Sequence, residues 1–90
     1  MNGVTAHIVV PDADAAAAWY FRSFGAEEVS RIPLPGGRVM TAQLRFGDAV
    51  VHLGSEFPDA GILSPLTIGG TATVLQIATE DAAAVWARAI

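Results

Sequence analysis

The chain has no cysteine, and this absence excludes several kinds of site. Without thiols there is no disulfide scaffold, no cysteine nucleophile and no zinc–thiolate centre. Basic residues are also few, since five Lys and Arg stand against nine Asp and Glu and give a formal net charge of -4. Because single basic residues spread along a chain cannot neutralise a row of phosphates, the sequence predicts no nucleic-acid partner.

Long hydrophobic runs are missing as well. The apolar run Ala15–Phe21 is shorter than the roughly 20 residues that cross a bilayer, and the first residues lack the basic and apolar regions of a signal peptide. These patterns predict a cytoplasmic protein with no membrane association. Hydrophobic residues nonetheless make up 52% of the 90 residues and charged residues 16%, which favours one folded domain over disorder.

The hydrophobic pattern predicts the order β-α-β-β-β, loop, β-α. The first helix begins at a cap formed by Asp12 or Asp14 and ends at Gly25 in the left-handed conformation. Asp81 caps the second helix, and Gly47-Asp48 is typical of a tight hairpin. A loop rich in proline and glycine covers Phe57–Gly70. The predicted strands are Thr5–Val10, Glu28–Leu34, Val39–Phe46, Ala49–Leu53 and Thr71–Thr79.

The two ends of the chain resemble each other. HIVVPDADAAAAWYF from His7 aligns with QIATEDAAAVWARAI from Gln76, and each is a strand, an acidic cap and an alanine-rich helix. The alignment predicts a complete βαβββ module over residues 1–56, a connecting loop over 57–70 and the start of a second module over 71–90. The rest of that module is missing by truncation or is supplied by another chain. The half-module leaves an apolar face and a strand edge uncovered, which favours dimerisation, domain swapping or aggregation; of these we expect a homodimer.

Four segments carry a family resemblance: HIVVPDADAAAAWYFRSFGAEEVSR, GDAVVHLGSEFP, LSPLTIGGT and QIATEDAAAVWARA. In this order and spacing they resemble the vicinal oxygen chelate superfamily, which includes glyoxalase I, bleomycin-resistance proteins and extradiol dioxygenases. They look most like its PhnB-like branch. The resemblance implies an α+β fold in which two βαβββ modules form a cup-shaped mixed sheet around a divalent metal.

The resemblance also implies a set of metal ligands. His7 stands at the first-strand position, His52 takes the place of the usual glutamate in the stretch AVVHL, and Gln76 stands on the first strand of the second module. A fourth ligand would come from a strand beyond Ile90. Imidazole nitrogens and an amide oxygen suit Zn, Ni, Fe or Mn. Glu56, at the end of the fourth strand, is the candidate general base.

Three functions remain open at this point. The first is a metal-dependent lyase, isomerase or dioxygenase acting on a small substrate with vicinal oxygens. The second is a metal-free protein that binds a small molecule of the antibiotic type, in which His7, His52 and Gln76 only form hydrogen bonds with the ligand. The third is a fragment without activity of its own. A strand histidine is also more often a packed or hydrogen-bonded residue than a metal ligand.

Overall fold

Four strands form one mixed sheet in the computed structural model, which describes residues 3–90. The strands are β1 (His7–Val10), β2 (Glu27–Pro33), β3 (Val39–Phe46) and β4 (Ala49–Ser55). Their order across the sheet is β1-β4-β3-β2. β1 pairs with β4 in parallel, and the other two pairs are antiparallel. The predicted α+β fold is confirmed, and the four predicted strands of the first module lie within two residues of their expected bounds.

The long helix α1 (Ala13–Phe24) begins and ends where the sequence predicts. The Asp12 side chain accepts a hydrogen bond from the backbone N–H of Asp14 at 3.0 Å, which satisfies one of the free donors of the first turn. Gly25 ends the helix in the left-handed conformation with φ 69°. Asp14, in the first turn, also pairs with Arg31 of β2 at 3.1 Å. Asp12 and Gly25 therefore set the two ends of the helix that lies across the sheet.

The core lies between α1 and one face of the sheet, and small side chains dominate it. Alanines on both surfaces let the helix approach the strands closely. At the far end of the helix, Tyr20 and Phe24 pack on Phe46 with ring centroids 5.6 and 6.2 Å apart. The fully buried apolar residues are Ala13, Ala17, Ala26, Val39, Ala42, Leu44 and Leu53.

A single buried hydroxyl, that of Ser55, joins the helix to two strands. The backbone N–H of Ala13 donates to Ser55 Oγ at 2.9 Å, and Ser55 Oγ donates to the carbonyl oxygen of Val39 at 2.6 Å. Ser55 is only 2% exposed. Because Ala13 opens α1, Val39 opens β3 and Ser55 ends β4, this hydroxyl fixes three element ends at one point.

The fifth predicted strand, Thr71–Thr79, is not a strand in the structure. Within residues 3–90 it has no ladder partner, and two of its hydroxyls bind nearby amides instead. Thr71 Oγ1 accepts a hydrogen bond from the backbone N–H of Thr73, and Thr79 Oγ1 accepts one from the backbone N–H of Asp81. Such local hydrogen bonds compete with strand pairing.

Helical segments occupy much of the remaining chain. Asp81 caps α3 (Ala82–Ala89), as predicted, and α3 packs against α1, where Arg88 Nε donates to the carbonyl oxygen of Ser23 at 3.2 Å. Over residues 3–90, no helix has the length and apolar character needed to cross a membrane. The shorter helices are the 3-10 turns Pro35–Gly37 and Pro58–Ala60 and the one-turn helix α2 (Pro65–Ile68).

Replacing Ser55 by alanine tests this three-way contact. Ser55→Ala leaves the Ala13 N–H and the Val39 carbonyl buried without their partner, so the free energy of unfolding should fall by about 1–3 kcal/mol. Urea denaturation followed by circular dichroism measures the change. Ser30→Ala is the matched control, because Ser30 is exposed on β2, and it should cost less than about 0.5 kcal/mol. Equal losses in the two variants would contradict the assignment.

Candidate ligand-binding face

The sheet has one face covered by α1 and a second face that α1 does not cover. Side chains alternate along each strand, so the neighbours of the buried residues Ala42, Leu44 and Leu53 point away from the helix. We call this second surface the open face. The strand pairings place on it Ser30 and Ile32 of β2, Thr41, Gln43 and Arg45 of β3, Val50, His52 and Gly54 of β4, and His7 and Val9 of β1.

The structure brings the two histidines together on the open face. His7 and His52 are direct partners in the parallel β1–β4 ladder. Their ring centroids are 6.1 Å apart, and the ring planes meet at 65°. His52 is partly buried and His7 is exposed. Because the next residue of β4, Leu53, is buried under α1, the strand register fixes the side of the sheet on which His52 lies.

His7 and His52 alone do not form a metal centre. Two imidazoles that bind one tetrahedral ion with Zn–N bonds of about 2 Å have ring centroids about 5 Å apart. The observed separation of 6.1 Å is wider. Among residues 3–90, no three His, Cys, Asp or Glu side chains are grouped so that they could hold a metal ion. Beside this pair, residues 3–90 therefore supply no third ligand of these four residue types, and the predicted metal site stays a prediction.

The third predicted ligand, Gln76, lies elsewhere. It lines a cavity of about 720 Å³ on the helix-covered side of the sheet, together with Ile8, Tyr20 and Leu53. None of the open-face residues lines this cavity. Since residues 71–79 are not paired into the sheet, strand alternation does not decide where Gln76 points. The structure consequently does not bring Gln76 together with His7 and His52.

Glu56, the predicted general base, is engaged by the loop that follows β4. Its Oε1 atom accepts hydrogen bonds from the Ser64 backbone N–H at 2.6 Å and from Thr67 Oγ1 at 2.5 Å. The hydrogen bonds from Ser64, and to a smaller extent the one from Thr67, lower the pKa of the Glu56 carboxyl below its ordinary value. A lowered pKa makes a carboxylate a weaker base, so these contacts favour a role in holding α2. The catalytic role of Glu56 stays an untested prediction.

Two charged groups and one glycine complete the description of the open face. Arg45 pairs with Glu27 at 2.6 Å, so its charge is partly neutralised at the β2 side. The imidazole of His7 lies directly over Gly54, which is buried beneath it. Sequence reasoning missed Gly54, although a glycine inside a strand is itself a signal of a close approach.

The Glyoxalase/Bleomycin resistance protein/Dioxygenase superfamily model matches residues 3–89 of the chain. Among curated proteins, the chain is 32% identical over 87 residues to uncharacterized proteins of Mycobacterium bovis and Mycobacterium tuberculosis. These alignments cover 93% of this chain but only 57% and 51% of the two relatives. The chain thus spans about half the length of the curated relatives it matches.

Two solved structures resemble the fold. The X-ray structure of an Arabidopsis thaliana gene product superposes with a TM-score of 0.77 at 20% identity, covering 99% of this chain and 70% of that one. The crystal structure of TioX from Micromonospora sp. ML1 gives a TM-score of 0.55 at 24% identity, covering 70% of this chain and 53% of that one. At these identities the likeness concerns the fold alone.

Removing the charge of Glu56 should loosen the loop in a pH-dependent way. Its lowered pKa means that the ionised form stabilises the fold above the ordinary carboxyl pKa, and that this contribution disappears as the pH falls through the folded-state value. In Glu56→Gln, the Ser64 amide should exchange its hydrogen faster than in the parent protein at pH 7. The difference should vanish in acid. NMR-detected hydrogen exchange, corrected for intrinsic rates, measures this.

Asp59→Asn provides the control for this experiment, because Asp59 is an exposed carboxylate of the same loop. It should leave Ser64 exchange unchanged at both pH values. A Glu56→Gln effect of the same size at every pH would show that the carboxylate charge is not the cause.

Proposed function

We infer that this protein binds a small molecule, starting from the premise that the chain belongs to the Glyoxalase/Bleomycin resistance protein/Dioxygenase superfamily. The observation that carries the proposal is the in-register pair of His7 and His52 on the open face. We assign the ligand to this face, with the two imidazoles as its main polar contacts. The cavity that Gln76 lines, on the other side of the sheet, plays no part in this site.

The chemistry of the open face suits a small amphipathic ligand with adjacent oxygen atoms. Neutral imidazole offers both a donor and an acceptor nitrogen, so two rings side by side can hold two neighbouring oxygens. Gln43 is the ladder partner of His52 on β3 and adds an amide that can donate or accept. Val9 and Val50 stand beside the histidines on β1 and β4 and supply apolar surface. A few polar groups on an apolar wall are typical of small-molecule sites.

The same pair favours one alternative, a metal-dependent lyase, isomerase or dioxygenase acting on vicinal oxygens. In that case His7 and His52 are two of the ligands of a Zn, Ni, Fe or Mn ion. The remaining ligands, including a carboxylate that balances the charge, come from outside the described residues. When bound, the ion supplies Lewis-acid stabilisation of a substrate oxyanion. We rank this alternative second because residues 3–90 place no third His, Cys, Asp or Glu beside the pair.

A second wall is needed in either case, since a flat sheet face encloses no ligand. We propose a second copy of the chain as the source of that wall, in a homodimer. Sedimentation velocity over a range of concentrations should show a dimer. A strictly monomeric chain at all concentrations would leave the open face without the proposed wall and would contradict this part of the proposal.

The binding proposal is tested with catechol, a small probe with two adjacent oxygens. His7→Ala and His52→Ala should each weaken catechol binding about tenfold, which corresponds to about 1.4 kcal/mol for one lost hydrogen-bonding group. Gln76→Ala should change the affinity less than about twofold, because Gln76 lines the cavity on the other side of the sheet. NMR titration in the presence of a chelator measures the dissociation constants.

Two outcomes separate the candidate functions. Binding that survives the chelator and depends on both histidines supports the metal-free proposal. Binding that appears only after Zn²⁺, Ni²⁺ or Mn²⁺ is added, and that is lost in His52→Ala, overturns it in favour of the metal-dependent alternative. Catechol binding that is equal in the parent protein and both histidine variants contradicts the placement of the ligand on the open face.

A further inference from the structure

We propose that Gly54 is a positioning residue for His7: its missing side chain creates the space in which the His7 imidazole lies beside His52. This inference deepens the proposed binding function and rests on it, because it assigns a residue that shapes the histidine pair without itself contacting the ligand. It concerns the part of the open face where β1 and β4 meet.

The backbone does not explain why position 54 is a glycine. Seven of the nine glycines adopt a positive φ, which disfavours residues with a side chain, but Gly54 does not. It lies near the end of β4, the strand between β1 and β3, where it pairs with Val9 of β1 and Thr41 of β3. Glycine is unfavourable at such a position because it adds conformational entropy to the unfolded chain and packs no side chain. A glycine inside a strand therefore points to something that approaches the backbone closely.

The group that approaches is the His7 imidazole. A Cβ atom added at Gly54 would overlap His7 Nε2 and would lie 3.2 Å from Cε1 and 3.5 Å from Cδ2. Three atoms of the ring thus occupy the space above this residue. Gly54 is buried although it lies on the open face, whereas His7 is exposed. The imidazole is what covers the glycine, so a side chain at position 54 and the ring cannot hold these positions together.

If position 54 carried a methyl group, the His7 side chain would move and strand β4 would stay in place. His7 is exposed and can rotate toward solvent, whereas β4 is paired on both sides. A methyl group at position 54 should therefore move the imidazole away from His52 and leave the sheet intact. This gives position 54 control over the spacing of the two rings, and with it over the spacing of the oxygens that the pair can hold.

The first experiment needs no ligand. Nuclear Overhauser contacts between the ring protons of His7 and His52 should be present in the parent protein and lost in Gly54→Ala. Gly70→Ala is the matched control, since Gly70 has no positive φ and an added Cβ there meets no atom within 4 Å. It should keep the contacts. Retention of the His7–His52 contacts in a folded Gly54→Ala variant overturns the proposal.

The second experiment tests whether Gly54 acts through His7. Gly54→Ala should weaken catechol binding about fivefold or more in the parent protein but less than about twofold in a His7→Ala background, because the group that it displaces is then absent. In that background the same substitution should also leave the melting temperature unchanged or raise it, since alanine restricts the unfolded chain more than glycine. An equal loss of affinity in both backgrounds overturns the proposal.

The two experiments fail independently. If catechol does not bind the parent protein, the proposed function is wrong for this probe, and the ring contacts still decide whether Gly54 positions His7. If catechol binds through the histidines but Gly54→Ala binds it as tightly as the parent protein, the function stands and the role of Gly54 is wrong.

Discussion

The hydroxyl of Ser55 is the constraint on which the arrangement of this domain depends. It accepts a hydrogen bond from the backbone N–H of Ala13, the first residue of α1, and donates one to the carbonyl oxygen of Val39, the first residue of β3. These two bonds fix the point where the helix crosses the sheet. From that point, the alanines of α1 lie close to the strands and cover one side of them. Strand alternation then places the histidines on the other side, the open face.

Much of the fold was predictable because its signals are local. The caps at Asp12 and Gly25 depend on neighbouring residues only, and the strict alternation of Val39–Phe46 requires no knowledge of the rest of the chain. Residues 71–79 show where such reasoning fails. Their composition favours a strand, but a strand exists only when another strand pairs with it, and the threonine hydroxyls take up backbone amides instead.

The candidate site was predictable in part for the same reason. His7 and His52 lie in regular strands, so their common face follows from the alternation once the register is known. Gln76 lies in the segment that is not paired into the sheet. Strand alternation therefore could not predict that it lines the cavity on the other side of the sheet. The hydrogen bonds of Glu56 depend on how a loop of irregular sequence folds back to it, which no local pattern encodes.

The small size of the buried core has a consequence for how the domain responds to its surroundings. Leu44 and Leu53 are the largest fully buried apolar side chains, and alanines make up most of the rest. A short chain with such a core has little stability in reserve. Any molecule that settles on the open face adds its binding free energy to this small total. For the ligand that we propose on this face, thermal unfolding of the domain would therefore depend on ligand concentration.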